Sequence, residues 1–511
     1  MLEEDLYPEL TPEREAAEFE RLKPLLAEHW SSMALTEEKQ YTSVVVPSIS
    51  LDPGELRKID GVAFYEERLL FMLIRLRNPR ARLVYVTSQP IHPLALEYYF
   101  QLLAGIPASH ARSRLTLLCT YDASPRPLTE KILERPRLVE RIRAGIPDPT
   151  AAHLTVFNST PLERKLAVLL GIPLDGCDPS LVHLGTKSGG RKVFREAGVP
   201  LPLGFEEIYT RRDMAEALLE VRRRRPGLRR SVVKLNESFA GEGNGLFRYP
   251  AEESVKAVED AIPLLEFPVP DETAGTFLEK TSRMGCVVEE FLEGEDKRSP
   301  SSQYRIDPQG RVSPVSTHEQ ILGGPGSLLF LGARFPAEEP YRLAIQEAGL
   351  KVGEVLSSKG VLGRFGVDFV VRKRPDGEWE HFAVEINLRK GGTTHPFLAL
   401  QFLTLGQIEA GTGLFLSSTG HPKYYRATDS LRSPRYRGLL PEDLVEILTA
   451  NGLHYSPVTE TGVLFHMIGA LSQYGKLGLT AIGSSREEAE TLYEETLSIL
   501  DREALLRRSL R

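Results

Sequence analysis

Two acidic residues and an asparagine occupy neighbouring β-patterned segments, GRFGVDFVV and WEHFAVEIN. Asp-Gly is a strong signal for a two-residue hairpin turn, and a turn at Asp376 and Gly377 places Asp368 directly opposite Glu385. Two carboxylates in opposite positions destabilise a sheet, so we expect a positive group between them. Carboxylate and carboxamide oxygens are the ligands that Mg²⁺ prefers in proteins. The pattern therefore predicts a magnesium site formed by Asp368, Glu385 and Asn387.

The other side of the predicted hairpin is apolar and is expected to face a core. Gly366 and Ala383 fall on the acidic side, where their small size predicts room beneath a ligand. A solvated surface hairpin is the alternative interpretation, because exposed acids are common. The expected core face consists of Val367, Phe369, Val371, Phe382, Val384 and Ile386.

A glycine-rich loop and two lysines could hold phosphate groups. The loop SFAGEGNG, residues 238–245, follows a β-branched strand and can turn backbone N–H groups toward phosphate oxygens. It matches neither GxGxxG nor the Walker A pattern, and a simple glycine turn is the alternative. Lys234 interrupts the strand SVVKLN, where a buried ammonium requires an anion. The candidate nucleotide ligands in this region are Lys187, Lys234, Gly241, Glu242, Gly243 and Asn244.

An acidic strand, VVEEFLEGED, follows the glycine-rich loop. Its backbone could hydrogen-bond the edge of an adenine, while the Glu289 carboxylate accepts a hydrogen bond from the exocyclic amine. Glu293, Glu295 or Asp296 could bind ribose hydroxyls. The nucleotide-binding candidates of this strand are Glu289, Glu290, Leu292 and Asp296.

The elements that must position these residues predict several domains, because 511 residues exceed one ordinary core. Strands alternate with helices over residues 41–176, which predicts a parallel α/β domain. Antiparallel-looking strand pairs follow, and the tail reads as strands with a terminal helix. We expect an N-terminal domain at 1–178, a central domain at 179–412 and a C-terminal domain at 413–511.

Composition narrows the class of protein and its surroundings. A formal net charge of −7 argues against a general nucleic-acid binder. The chain has no apolar run of about 18 residues, and its acidic first residues do not resemble a secretory signal. Three scattered cysteines, Cys119, Cys177 and Cys286, argue against a disulfide framework. We expect a cytoplasmic protein without nucleic-acid or membrane partners.

The order of the motifs resembles the ATP-grasp signature over residues 180–400. Lys187 and Lys234 are similar to the two phosphate-binding lysines, SFAGEGNG to the loop that closes over the triphosphate, and VVEEFLEG to the adenine hinge. VDF with EINLR resembles the metal-binding pair, and the resemblance places Arg389 near the transferred phosphoryl group. Segments such as LGTKSGGRKVFREAGVPLP and TGVLFHMIGALSQYGKLGLTAIG resemble a bacterial group related to the pheganomycin peptide ligase.

This resemblance implies an α/β and α+β multidomain fold: a pre-ATP-grasp domain, a two-lobed ATP-grasp domain and a small C-terminal α+β domain. It implies ATP, Mg²⁺ or Mn²⁺, and small-molecule carboxylate and amine substrates joined through an acyl phosphate. Another ATP-grasp phosphoryl transfer or carboxylation, and a non-catalytic nucleotide-binding regulator, stay open, as does a homodimer. A dinucleotide dehydrogenase lacks its glycine fingerprint here. D-alanine ligases commonly carry arginine where this chain has Gly366, while Arg364 stands further from Asp368.

Four side chains outside these motifs are candidates for substrate contacts. Arg305, in the strand SQYRIDP, could bind a substrate carboxylate through two parallel hydrogen bonds. His318 and Glu319 border one loop, and His395 borders another. For each of them an ordinary structural role is the alternative.

Overall fold

The structure is a computed structural model that describes residues 6–35, 40–103, 105–237, 243–269, 272–294, 296–323 and 329–506. Its N-terminal part is the predicted parallel α/β unit, a five-stranded sheet with strand order β3-β2-β1-β4-β5. The strands are β1 Tyr41–Val46, β2 Ala81–Thr87, β3 Leu115–Cys119, β4 Ala152–Val156 and β5 Leu174–Asp175. The helices are α1 Pro12–Leu35, α2 Pro53–Arg57, α3 Pro93–Phe100, α4 Ala108–Arg112, α5 Leu128–Leu133, α6 Pro136–Ala144 and α7 Pro161–Leu170. Across the described ranges, every helix is too short or too polar to cross a bilayer.

The first lobe of the central part is a four-stranded antiparallel sheet in the order β6-β9-β7-β8. Alternation along β7 sends Val233 and Leu235 into a core with α9, while Val232 and Lys234 face the opposite side. The strands are β6 Gly204–Ile208, β7 Arg230–Leu235, β8 Asn244–Arg248 and β9 Cys286–Glu290. The helices are α8 Lys187–Glu196, α9 Arg211–Arg224, α10 Val255–Ala261 and α11 Ala274–Met284.

The largest sheet has nine strands, eight in the order β10-β14-β11-β12-β13-β18-β20-β19 and β15 paired with β14. Its strands are β10 Lys297–Arg298, β11 Pro300–Ile306, β12 Val312–Gly323, β13 Leu329–Phe335, β14 Gly363–Lys373, β15 Trp379–Asn387, β18 Tyr424–Arg432, β19 Gly462–His466 and β20 Lys476–Gly483. The short strands β16 Gln407–Ile408 and β17 Phe415–Leu416 pair separately. The helices are α12 Glu339–Ser358, α13 Thr394–Thr404, α14 Pro441–Ala450, α15 Leu471–Tyr474 and α16 Arg486–Leu506.

The C-terminal strands continue the central sheet. β18 pairs antiparallel with β13, and Ala333 lies opposite Ala427. One apolar core joins side chains from the N-terminal, central and C-terminal parts, among them Tyr85, Phe335 and Leu479. The predicted boundary near residue 412 therefore does not separate two sheets.

The hairpin β14–β15 places Asp368 opposite Glu385 and Gly366 opposite Asn387, as predicted. The predicted two-residue turn is wrong. The Arg374 N–H donates to the Glu378 carbonyl at 2.8 Å, so three residues form the turn. Gly377 has φ 90°, a left-handed conformation that favours glycine.

A β-bulge restores the pairing that the longer turn would shift. Phe369 pairs with Ala383 while Asp368 pairs with Glu385, so Val384 is the extra residue. Side chains before the bulge therefore change faces. Ala383 is fully buried in the core beside Phe369, whereas Phe382 and Val384 are only half-buried. The predicted core positions of Phe382 and Val384, and the predicted ligand-side position of Ala383, are wrong for this reason.

Candidate active site

A cavity of about 850 Å³ lies where the four-stranded sheet, the β14–β15 hairpin and the N- and C-terminal parts meet. Its size is within the range of small-molecule sites. The central part contributes Lys234, Asn244, Glu289, Glu290, Leu292, Asp368, Glu385, Asn387 and Arg389 to its wall. The N-terminal part contributes Lys58, Asp60, Tyr65, Arg68 and Phe157, and the C-terminal part contributes Asp429, Ser430, Arg432 and Lys476.

Asp368 is held by two carboxamides at the wall of the cavity. Its Oδ2 accepts a hydrogen bond from Asn387 Nδ2 at 3.1 Å, and its Oδ1 accepts one from Gln320 Nε2 at 2.9 Å. Burial and the neighbouring Glu385 charge raise the pKa of Asp368 to about 7. The nearby Lys187 and Arg389 charges therefore do not fully balance an ionised Asp368.

Glu385 has a cationic partner instead. Its Oε1 lies 2.6 Å from the Lys187 ammonium, and its side chain is 26% exposed. Although burial acts in the other direction, Lys187 and Arg389 hold the pKa of Glu385 below its usual value. The pKa of Asp368 is thus raised and that of Glu385 lowered, although both carboxylates lie on the same wall.

The donor set fits a magnesium ion. Asp368, Glu385 and Asn387 line one cavity and offer carboxylate and carboxamide oxygens, the ligands of a hard cation. A divalent ion would also supply the charge that Asp368 lacks. Within the described residues, His, Cys, Asp and Glu form no cluster of three or more with metal-binding geometry. The candidate site consequently depends on two acids and the asparagine.

Backbone contacts at the start of α8 place Lys187 beside the hairpin. Its N–H donates to the Asn236 carbonyl at 3.1 Å, and the next N–H, of Ser188, donates to Asn236 Oδ1 at 3.0 Å. A Cβ atom at Gly190 would meet Ile386 at 3.6 Å, an ordinary van der Waals distance, so α8 packs directly on β15. Lys187 thereby reaches Glu385 across the junction of the two lobes.

Lys234 and Arg191 share Glu289 as their counter-ion. Lys234 Nζ lies 2.6 Å from Oε2, and Arg191 Nη1 lies 2.5 Å from Oε1. Burial raises the pKa of Glu289, but these two cations outweigh burial and lower it. Both carboxylate oxygens therefore have charged donors, and the predicted hydrogen bond from an adenine amine to Glu289 stays a prediction.

An apolar cluster lies next to Lys234 and could cover one face of a planar base. Val232, Leu246 and Phe291 pack together apart from the main cores. The Phe291 ring is flanked by the guanidinium of Arg230 at 4.2 Å and the ammonium of Lys297 at 4.0 Å. Glu290 and Leu292 line the same part of the cavity, which keeps the hinge prediction for this strand open.

Arg305 does not line the cavity. Its Nη2 donates to Asp175 Oδ1 at 2.8 Å, which joins β11 to the end of β5 in the N-terminal sheet. Arg364 lies opposite Arg305 on β14, and its charge also lowers the pKa of Asp175. The position of Arg305 therefore gives its predicted substrate contact no support, because its guanidinium joins β11 to the N-terminal sheet.

The two candidate histidines also have structural partners. His318 is fully buried and its Nε2 lies 2.6 Å from the Tyr425 hydroxyl. His395 packs against His466, with ring centroids 4.2 Å apart, and neither ring lines the main cavity. Glu319 does line the cavity and accepts a hydrogen bond from Tyr341 at 2.7 Å. Neither histidine is placed to touch a ligand in the cavity.

Some nucleotide candidates lie outside the residues that the structure describes, and others lie next to such a gap. Gly241, Glu242 and Glu295 lie outside the described residues. Asn244 is buried on the cavity wall, and its Oδ1 has no hydrogen-bond partner within the described part of the chain. Asp296 is exposed and does not line the cavity, so its predicted ribose contact lacks support.

Sequence reasoning missed several residues that line this wall or hold residues of it. Gln320 holds Asp368 from β12, and Arg191 holds Glu289 from α8. A signal existed for Arg191, because it lies three residues before the buried Phe194 and therefore on the inner face of a helix. No sequence motif marks Gln320, Arg68 or Lys476, which reach the cavity through distant strand and helix contacts.

Comparisons with known proteins agree with this geometry. The family model described as IQCH-like, ATP-grasp matches residues 179–249 and 272–410, and the PGM1 C-terminal domain model matches residues 443–496. L-propargylglycine–L-glutamate ligase of Streptantibioticus cattleyicolor is 33% identical over 456 residues, which cover 88% of this chain and 92% of that protein. IQ motif-containing protein H of Danio rerio is 23% identical over 549 residues; the match covers 96% of this chain and 51% of that protein, about half its length.

Solved structures show the same fold. Biotin carboxylase from Campylobacter jejuni, in a β,γ-ATP complex, gives a TM-score of 0.52 at 13% identity and covers 88% of both chains. An ADP complex of N5-carboxyaminoimidazole ribonucleotide synthetase gives 0.52 at 13% identity and covers 91% of this chain and 98% of that one. These likenesses concern the fold alone.

Fold, site and relatives together define an enzyme of the ATP-grasp class, as the sequence predicted. Within that class, the chain belongs to the family of ATP-grasp ligases that contains L-propargylglycine–L-glutamate ligase. The predicted multidomain α/β and α+β fold is confirmed as well.

Proposed function

We propose that this ATP-grasp ligase joins the carboxylate of one amino acid to the amino group of another and converts ATP to ADP and phosphate. The observation that carries the proposal is the shared cavity wall of Asp368, Glu385, Lys234 and Arg389. Paired acids with nearby cations suit a triphosphate and its metal. The amino-acid substrates are proposed from the printed name of the 33% identical relative.

The proposed reaction has two steps. A carboxylate oxygen of the donor attacks the γ-phosphorus of ATP, the bond to the bridging oxygen breaks, and ADP leaves. The nitrogen of the acceptor amine then attacks the acyl carbon, the carbon–oxygen bond to phosphate breaks, and the amine loses a proton. The product is an amide that is lighter than the two substrates by one water.

The protein's part is to bind, orient and neutralise. Lys234 lies between the apolar cluster and Glu385, where a phosphate could replace Glu289 as its partner. Arg389 lies close to both acids and would face charge that develops on the transferred group. Asp368, Glu385 and Asn387 would hold Mg²⁺. When bound, Mg²⁺ supplies positive charge to phosphate oxygens.

The test measures ADP release by the purified chain with ATP, Mg²⁺ and the twenty L-amino acids, singly and in pairs. Hydroxylamine replaces the acceptor in a parallel series, because it converts an acyl phosphate to a hydroxamate. We expect hydroxamate from a donor acid alone and an amide product with a true pair. Mass spectrometry of the product identifies the loss of one water.

Three results would contradict the proposal. ADP release that depends on bicarbonate indicates carboxylation, and a phosphorylated product without an amine indicates kinase-type transfer. Nucleotide binding without turnover under every pairing indicates a regulator. Inclusion of Asp368→Asn in each series separates release at this site from a contaminating ATPase.

A further inference from the structure

Arg432 and Lys476 lie directly opposite each other on β18 and β20, and both line the cavity. Like charges in opposite positions destabilise a sheet unless negative groups offset them. Arg432 has such a group, because its Nη2 lies 2.6 Å from Asp60 Oδ2. Among the residues that the structure describes, no carboxylate forms an ion pair with Lys476.

Lys476 is buried, with only 9% of its surface exposed. Its ammonium donates to the Tyr65 hydroxyl at 2.6 Å and lies 4.6 Å from the centre of the same ring. An ammonium has three donors, and a neutral phenol supplies no charge. A buried ammonium on a cavity wall needs an anion, so the ligand of this cavity is expected to bring one.

The surrounding residues connect Lys476 to the metal-binding wall. Gly392 lies three residues after Arg389, and a Cβ atom on it would lie 3.8 Å from Asp429 Oδ2. Asp429 Oδ2 also accepts a hydrogen bond from Arg68 Nη1 at 3.0 Å. Burial lowers the pKa of Lys476, and the nearby Asp429 charge opposes that shift. Asp429 thus lies near both the lysine and the segment that follows Arg389.

Arg68 supports this subsite from behind. Its guanidinium lies over the Tyr65 ring at 4.6 Å and over the Phe157 ring at 4.4 Å. With its ion pair to Asp429, Arg68 fixes the tyrosine that binds Lys476. Arg68 is therefore a positioning residue, and the group of the subsite that would contact a ligand is the lysine ammonium.

We propose that Lys476 binds the non-reacting carboxylate of the amine-bearing substrate. The acceptor is then an α-amino acid or a peptide with a free carboxylate, rather than a simple amine. The reason lies in the chemistry: the donor carboxylate becomes an acyl phosphate, whereas the acceptor carboxylate keeps its charge throughout the reaction and needs a permanent counter-ion. This inference rests on the proposed ligase function and defines its second substrate.

The experiment compares acceptors that differ only in that carboxylate. Hydroxylamine trapping first identifies a donor; the twenty L-amino acids and their primary carboxamides are then tested as acceptors. We expect the wild-type protein to favour the free acid through a lower KM, by about 10- to 100-fold, the range of one charged hydrogen bond. Lys476→Met should lose this preference, and Lys476→Arg should keep most of it.

The controls separate this role from a structural one. Lys351→Met removes an exposed lysine that pairs with Glu347 on α12, and it should leave the preference unchanged. In Lys476→Met, the KM for ATP and the rate of hydroxamate formation should stay near the wild-type values. A raised KM for ATP would assign Lys476 to a phosphate and overturn the proposal.

Other outcomes are equally decisive. A wild-type protein that forms amides from free acids and carboxamides with the same KM refutes the subsite but leaves the ligase function intact. A Lys476→Met variant that keeps the full preference also refutes it. If no amino acid gives hydroxamate or amide, the ligase function fails and this inference fails with it.

Discussion

Asp368→Asn should stabilise the metal-free protein while it abolishes ADP release. The structure raises the pKa of Asp368 from 3.8 to about 7, through burial and the Glu385 charge. At about 1.4 kcal/mol for each pKa unit, ionised Asp368 lowers the free energy of unfolding by on the order of 4 kcal/mol. Asparagine keeps the shape of the side chain and removes that charge.

The sign of the pH dependence follows from the raised pKa. Below about pH 4 Asp368 is protonated in both the folded and unfolded states, so its ionisation does not change the free energy of unfolding there. Between about pH 4 and pH 7 the folded state binds the extra proton, and stability falls as pH rises. Wild type should therefore lose about 3 kcal/mol between pH 5 and pH 8 relative to Asp368→Asn.

Urea unfolding at these two pH values, with a chelator present, measures the difference. Added Mg²⁺ should stabilise the wild-type protein at the higher pH and should have much less effect on Asp368→Asn. Asp376→Asn makes the same change in the exposed turn of the same hairpin and is the matched control. If Asp368→Asn is less stable than wild type at both pH values, or Mg²⁺ stabilises both equally, the charge argument for this site is refuted.

Two further changes probe other contacts of the structure. Lys234→Met removes a cation expected to bind phosphate and should raise the KM for ATP by about 10- to 100-fold in the ADP-release assay. The control Lys192→Met changes an exposed lysine and should leave this KM unchanged. An unchanged KM in Lys234→Met would contradict the proposed role of Lys234. Asp175→Asn leaves Arg305 without its acidic partner between two domains and should lower the free energy of unfolding at neutral pH by about 3 kcal/mol. Because Arg305 and nearby cations depress the pKa of Asp175, this stabilisation should disappear in acid, and a urea midpoint that does not move at neutral pH would disprove the coupling.

The strand periodicity and the ordered motifs predicted the class of fold and the opposed acids of the hairpin. The pairing of Asp368 with Glu385 nevertheless arises differently from the prediction. A three-residue turn shifts the strands by one position, and the bulge at Val384 shifts them back. Turn length and bulges depend on how Ala383 and its neighbours pack in the core, and strand patterns do not contain that information.

Long-range contacts account for most of what the sequence could not predict. An arginine in a strand looks the same whether it faces a ligand or an acid of another domain, and Arg305 faces Asp175. Likewise the sequence does not show that Arg191 and Lys234 both pair with Glu289. Lys476 lines the cavity because the C-terminal strands extend the central sheet.

Carboxylates of the protein itself pair with three cations in and around the cavity. Glu385 pairs with Lys187, Glu289 with Lys234 and Asp429 with Arg68, whereas Lys476 has no such ion pair among the described residues. An incoming nucleotide must displace these internal anions, which in turn become free to attract a cation. Nucleotide and metal are therefore expected to enter as a unit, and free phosphate should compete poorly for the same lysines.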